Sequence, residues 1–502
     1  MRRLARDMLW MAVATGASRL LGLCRDIAIA SRFGLSASYD AFLIAFFVPH
    51  FLRQLLAEGA LSMAFVPSYT GLLEDRADAD RFASNVLSWL LLLFPVLVTL
   101  GIVFAPRFVP FLASGFEPEK LELTIQLTRW VLPFIGAIGI AAVFMGVLNA
   151  HLRFFAASFA PVWFNVGMLI GVLGFVHIVD PPVLGMALGV LLGGTAQLAF
   201  LLPSLQRIQF RFRLHLFPLH DRLGSMLRVM APALGTLAVT QVNLMVDNKL
   251  ASHIGDGGVS ALQYGMRLFQ LPLGILAVSL ATALLPRFSR AWRRKNLQGF
   301  ARYLEDGLIT SALLLLPAMV GLLLLGTDVI RLLFEHGSFG AAETVRTARV
   351  LSFYVIGLVP YGLIYVLSRA AYARGRTVIP LLGSILAVGV NIGLDLILVR
   401  SMQEAGLALA TAIAGFANAT VLLVFTLRQH PISRTTIPKL AWVAVGSILL
   451  AGVVGTMRVL LRGTPMPIAV FAPTCTGVLF YAGYLRISPL WHLIRGLRTT
   501  ES

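Results

Sequence analysis

Apolar runs of about 20 residues recur along the whole chain, separated by short polar stretches that hold most of the Lys and Arg. A helix of about 20 apolar residues spans the hydrocarbon core of a bilayer. The pattern therefore predicts about fourteen transmembrane helices, the first over 8–30 and the last over 468–485. A membrane barrel would instead show segments of about ten residues alternating apolar and polar, and the runs here do not alternate. The predicted fold class is all-α, a polytopic membrane protein.

The pattern also repeats. Asp26, Ala30, Ser31 and Gly34 align with Asp247, Ala251, Ser252 and Gly255. Leu61, Ala64 and Pro67 align with Leu280, Ala283 and Pro286, and Val147, Leu148 and Pro161 with Val366, Leu367 and Pro380. The common offset of roughly 220 residues encloses about six helices, and an even number gives both copies the same orientation in the membrane. Two parallel six-helix lobes are expected, over 1–222 and 223–436, facing a central cavity. Two further C-terminal helices, over 437–502, fall outside the repeat.

Composition sharpens this picture. Of 502 residues, 58% are hydrophobic and only 13% charged. A soluble domain carries about 25% charge. The net charge of +18 would suggest nucleic acid in a soluble protein. Here the basic residues crowd into alternate loops, so they set topology instead. With the N-terminus in the cytoplasm, roughly 25 basic residues lie inside and about 8 outside, as the positive-inside rule requires. An even number of spans returns Arg495 and Arg498 to the cytoplasm as well. No cleavable signal peptide is expected, because the first apolar run continues far beyond a signal-peptide core. Cys24 and Cys475 lie inside apolar runs and are expected to be free thiols packed among helices.

Some charges do not belong to loops. Arg19, Arg25, Asp26, Arg53 and Glu58 fall within the first two spans. A charge at bilayer depth costs about 2.5–3.5 kcal/mol on insertion scales, so such residues face protein or a water-filled cavity. Thr15, Arg19, Gly22 and Asp26 share one face of the first helix, and Thr236, Thr240, Asn243 and Asp247 occupy the repeat-related face of the seventh. Arg25 lies about 100° off that stripe. A bend at Gly22 would bring it inward; alternatively it pairs with a neighbouring acid. Arg267, on the eighth helix, is either a cation set opposite the others or a residue reaching for the interface. The arginines together predict an anion site, with a structural ion-pair network as the competing reading.

A second cluster is rich in oxygen. Asn391 and Asp395 share a face of the eleventh span, with Asp247 on the seventh and Thr411 on the twelfth. Hard oxygen ligands suit a small cation. Asp395 is also suited to carrying a proton, and plain hydrogen bonding between helices would need the same residues. No phosphate loop, zinc spacing or nucleophile–base pair is present in the sequence, so no enzyme activity and no cofactor beyond such an ion is expected.

One long run carries a resemblance. Arg19-x-x-Gly22-x-x-Arg25-Asp26, Phe33-Gly34, Asp40-Ala41-Phe42, Pro49-x-Phe51-Leu52-Arg53, Ala57-Glu58-Gly59-Ala60 and Ala64-Phe65-Val66-Pro67 resemble the MurJ (MviN-type) lipid II flippases. These belong to the multidrug/oligosaccharidyl-lipid/polysaccharide exporter superfamily. Arg267, Pro272, Gly274, Leu285-Pro286 and Leu333-Phe334-x-x-Gly337-x-Phe339 extend the likeness.

The resemblance implies a two-lobed flippase of the bacterial inner membrane. It would move undecaprenyl-diphosphate-linked peptidoglycan precursor from the cytoplasmic to the periplasmic leaflet by alternating access. It further implies that Arg19, Arg25, Arg53 and Arg267 bind the diphosphate, with Asp26 beside them and Asp40, Glu58, Gly22 and His50 supporting. It implies a groove for the polyprenyl tail on the last two helices. In some members it implies a sodium site, which Asp247, Asn391, Asp395 and Thr411 match. The expected partners are lipid II, membrane lipids and the cell-wall synthesis machinery, and no nucleic acid. Two residues depart from the family pattern: His50 stands where Asn is usual, and Gln54 replaces a frequent basic residue. Three rival readings are a cation-coupled drug exporter, a flippase for another polyprenyl-diphosphate glycan and a non-transporting scaffold. A cavity for cationic drugs should be acidic, and this one is basic.

Overall fold

The computed structural model describes residues 2–54, 60–429, 433 and 435–491, and all regular elements among them are helical. By packing, the chain forms two compact units, Met1–Gly257 and Gly258–Ser502.

The first unit holds α1 (Arg2–Phe33), α2 (Ala37–Arg53), α3 (Ala60–Thr70), α4 (Arg76–Leu112), α5 (Pro118–Val131), α6 (Phe134–Ala150), α7 (Phe154–Leu173), α8 (Leu184–Arg207) and α9 (Asp221–Ala251). Local chemistry sets the helix ends. Gly34, at φ 56°, takes the left-handed conformation that closes α1, and its repeat partner Gly255 has φ 101°. Ser36 Oγ caps α2 by accepting from the Tyr39 N–H at 3.3 Å. Asp75 caps α4 in the same way.

Small residues let α7 and α8 meet backbone to backbone. A Cβ on Gly167 would lie 2.3 Å from Gly193 Cα, and one on Gly171 would lie 2.8 Å from Gly189 Cα. The spacing of Gly185, Gly189 and Gly193 is the small-xxx-small pattern that permits close approach in a membrane, where hydrophobicity does not drive helices together. This contact fixes the two helices that carry Asn165 and Gln197.

The second unit holds α10 (Gly258–Pro272), α11 (Val278–Arg293), α12 (Leu297–Phe334), α13 (Ala341–Ile356), α14 (Leu358–Ala373), α15 (Val378–Met402), α16 (Glu404–Leu427), α17 (Thr436–Leu460) and α18 (Met466–Ile487). Between α10 and α11 the chain makes a π-helical turn over Leu273–Ala277. Pro272 lies immediately before it; a proline without an N–H, whose ring crowds the preceding turn, favours such a widening. Helices α17 and α18 pack on α12, where the Tyr481 hydroxyl donates to the Leu313 carbonyl at 3.2 Å.

Packing groups the helices differently from the repeat. Helix α9 opens the second repeat, yet it packs on α3 and α4 and so belongs to the first unit. The two C-terminal helices belong to the second unit. Among the described residues, ten helices are long and apolar enough to cross a membrane, or eleven if the bent pair α13–α14 is one span. The expected fourteen also needs α1, α2 with α3, and α9. Those are the stretches that carry Arg19, Arg25 and Asp26, Arg53, and Asp247. Both cysteines are free, but they are exposed on their helices, not packed among them as expected.

Candidate functional site

Helix α1 runs unbroken through Gly22, where a Cβ would stand 3.8 Å from the Asn165 Oδ1 on α7. Three residues on, the Arg25 guanidinium turns to Asp26, donating from Nε at 3.0 Å and from Nη2 at 2.7 Å to the same Oδ1. Its Nη1 donates to Asn165 Oδ1 at 3.0 Å. The Asn165 amide in turn donates to the Ser18 carbonyl at 3.2 Å. The neighbouring-acid pairing is thus present, with three of five guanidinium N–H groups engaged. Arg19, one turn earlier, is exposed and has no ion pair among the described residues.

Arg53 ends α2. Its guanidinium lies 5.4 Å from the centre of the Phe164 ring on α7, within cation–π range. It also lines a cavity of about 610 Å³ inside the first unit. One turn before, His50 Nε2 faces the Gln54 amide at 3.1 Å, and Gln54 Oε1 accepts from Gln241 Nε2 on α9 at 2.6 Å. The two residues that depart from the family pattern therefore contact each other and tie α2 to α9. Glu58 lies outside the described residues.

Asp40 is fully buried in the first turn of α2. It accepts from Lys120 Nζ at 3.0 Å and from the Gly257 N–H at 2.8 Å, while Lys120 also reaches Asp256 at 2.8 Å. This is a packed ion-pair network at the ends of α2, α5 and α9.

In the second unit, Arg267 is half-buried on α10, five residues before Pro272. On α15, Asn391 Nδ2 donates to Asp395 Oδ2, and both residues are buried. Thr411, buried on α16, donates its hydroxyl to the Leu407 carbonyl at 3.0 Å, leaving lone pairs as its available chemistry. Asp247 belongs to the first unit, where it is buried and accepts from Asn243 at 3.4 Å. Among the described residues no group of three His, Cys, Asp or Glu is arranged to hold a metal. A site for a hard monovalent ion would have to use amide, hydroxyl and carbonyl oxygens as well.

Asn165, Lys120 and Gln197 were not among the residues singled out from sequence. Asn165 and Gln197 had a signal: each is a lone carboxamide in an otherwise apolar stretch of its span. Lys120 had none, because it sits in a loop-like polar run, and only the fold brings it to Asp40.

The family model described as "Lipid II flippase MurJ" matches residues 29–467. A curated relative from Thermotoga maritima, "Probable lipid II flippase MurJ", is 35% identical over 460 residues, covering 91% of each chain. The solved structure "Lipid II flippase MurJ, inward closed conformation" matches with TM-score 0.83 at 30% identity, covering 95% of this chain and 98% of that one. An inward-facing multidrug resistance MATE family transporter of the MOP superfamily matches with TM-score 0.69 at 19% identity, covering 82% of this chain and 94% of that one. At that identity the last match shows a shared fold alone.

Proposed function

The chain belongs to the lipid II flippase MurJ family, and we propose that it moves lipid II from the cytoplasmic to the periplasmic leaflet by alternating access. The observation that carries this reading is Arg53, a cation at the wall of a cavity inside a membrane-embedded unit. Lipid II carries a diphosphate, a disaccharide and a peptide on a polyprenyl chain, and its diphosphate cannot cross hydrocarbon unaided. Guanidinium forks take phosphate oxygens in pairs, which an ammonium does not. In this reading Arg53 and Arg25 contact the diphosphate, with Arg19 as a third cation and Asp26 holding Arg25 in place. Arg267 is the fourth cation of this reading, and Asp40, Glu58, Gly22 and His50 are its supporting residues.

The N- and C-termini are taken as cytoplasmic from loop charge. The tail rests against the last two helices, and cell-wall synthesis enzymes receive the product. Export of each negative charge from a negative interior gains at most about 2.3 kcal/mol per 100 mV. A diphosphate near −2 therefore gains up to ~5 kcal/mol per 100 mV, less whatever the arginines themselves move. Sodium at Asp247, Asn391, Asp395 and Thr411 would reset the cycle.

The test is depletion of the protein in its native cell, with lipid II measured on each leaflet. Accumulation on the cytoplasmic leaflet, reversed by wild-type protein and not by Arg53→Ala, is the expected result. An unchanged distribution on depletion overturns the proposal.

A further inference from the structure

One loop carries a pattern that suits neither a helix nor a turn. Over 210–216 the sequence reads Phe-Arg-Phe-Arg-Leu-His-Leu, apolar and basic residues in strict alternation. A period of two is the mark of a half-buried β-strand, yet every regular element among the described residues is helical. The segment lies between α8 and α9, and α4 holds it along one edge. Asp80, Ser84 and Ser88 share a face of α4. They accept from the backbone N–H of Arg211 at 3.3 Å, of Arg213 at 3.2 Å and of His215 at 2.8 Å. The Asn85 amide donates to the His215 carbonyl at 2.8 Å. Four residues of helix rise about 6 Å and two residues of strand about 6.6 Å, so the stripe on α4 matches the repeat of an extended chain.

The other edge is open. Successive residues of an extended chain turn their N–H and C=O to opposite edges. Those of Phe212 and Leu214 therefore point away from α4, and they have no hydrogen-bond partner among the described residues. Phe212 and Leu214 are 43% and 70% exposed, and Arg211 and Arg213 are exposed on the opposite face. An open edge of this kind accepts a further strand. A second copy of the segment would set arginine beside arginine, and like charges directly opposite are unfavourable. A strand with acidic side chains on one face and apolar ones on the other complements both faces.

We propose that 210–216 is a docking edge for an extended acidic segment of a partner protein, which adds to it as a strand. The proposal is independent of the transported substrate.

The experiment uses the full chain in phosphatidylcholine nanodiscs and two fluorescent heptapeptides, one alternating valine with glutamate and one alternating valine with lysine. Anisotropy should show wild-type protein binding the glutamate peptide about tenfold tighter. The double variant Arg211→Glu, Arg213→Glu should reverse that preference, a result that a disrupted segment could not give. Phe212→Pro removes one outward N–H and leaves the three N–H bonds to α4 in place. It should weaken the glutamate peptide about tenfold, and Phe212→Ala, which keeps the N–H, should weaken it less. Equal binding of the two peptides, binding of neither, or a preference that the double variant does not reverse overturns the proposal. So does a polarity-sensitive dye on Leu214→Cys, in a Cys24→Ser, Cys475→Ser background, that responds to phosphatidylglycerol in the nanodisc and not to the glutamate peptide. The segment would then rest on the lipid surface.

Discussion

Arg25 and Asp26 are neighbours in the chain and partners in space. Two guanidinium nitrogens converge on one carboxylate oxygen, at 3.0 and 2.7 Å. Successive residues on a helix ordinarily point about 100° apart and do not meet, so the long arginine must fold back to make this bond. Asp26 therefore orients Arg25, and Asn165 makes the link from Arg25 to α7. Asp26→Ala leaves a buried guanidinium with one neutral partner, and breaking such a pair costs about 3–5 kcal/mol. Asn165→Ala removes hydrogen bonds but no charge, about 1–3 kcal/mol. Thermal unfolding in detergent should rank Asp26→Ala below Asn165→Ala, and both below wild type. The reverse order would mean that the link to α7, not the charge pair, holds Arg25.

Arg53→Ala should abolish lipid II flipping while leaving folded protein in the membrane. Arg53→Lys should restore little, because a point charge cannot fork two phosphate oxygens or stack on Phe164 as a planar cation does. A flipping assay in reconstituted vesicles reads both, and full activity in the lysine variant would exclude a bidentate contact.

Lys120 lies between Asp40 and Asp256. Lys120→Met removes the ion-pair partner of the fully buried Asp40 carboxylate and leaves its bond from the Gly257 N–H in place. The loss should be near the low end of the about 3–5 kcal/mol for a broken buried pair. Adding Asp40→Leu should recover much of it, since the uncompensated charge is then gone. Chemical unfolding of the single and double variants decides this; a double variant weaker than Lys120→Met would refute it.

His151, in the turn between α6 and α7, gives a pH dependence. Burial, then the nearby Arg76, pushes its pKa below the ordinary 6.5, with Arg153 adding to the effect and Asp80 opposing it. The folded ring stays neutral beside the Tyr69 hydroxyl, 3.2 Å from Nε2. Below pH 6.5 the unfolded chain binds the proton more readily than the folded one, so stability falls as pH drops from 6.5 towards the folded value. Above 6.5 this contribution is constant. Melting temperature from pH 8 to pH 5 should fall less steeply in His151→Gln than in wild type; parallel curves would remove His151 as the cause.

Sodium gives another test. Asn391 and Asp395 are buried and bonded to each other on α15, and a cation or a proton would ease the burial of the carboxylate. Sodium should raise the melting temperature of wild-type protein more than potassium at equal ionic strength, and Asp395→Asn should lose that difference. An equal response to both ions favours the proton.

The tail groove is testable by labelling. A photoreactive polyprenyl analogue should mark 440–485 in preference to the first unit, and labelling confined to the first unit would contradict the assignment.

What the sequence determined by itself was set by short-range rules. Helices are legible because an apolar run must satisfy its own backbone in a bilayer, and among the described residues the apolar runs are helical. The repeat is legible because backbone requirements recur, as at Gly34 and Gly255. The intramembrane arginines are legible because their cost makes them conspicuous.

Tertiary structure alone decided what each charge meets. Nothing in the run Arg25-Asp26 shows that the pair closes on itself and borrows Asn165 from a helix 140 positions away. Nothing in the order of the repeats shows that α9 packs with the first unit. Lys120 looks like a loop residue until the fold delivers it to Asp40, and the sequence marks Gln197 as a carboxamide in an apolar stretch without showing that its Oε1 is buried with no partner among the described residues. The physical reason is the same throughout. Helix formation is dictated by neighbours in sequence, whereas the partner of a buried polar group is set by which helices meet, and small residues such as Gly167 and Gly193 permit that meeting without naming what it will bring together.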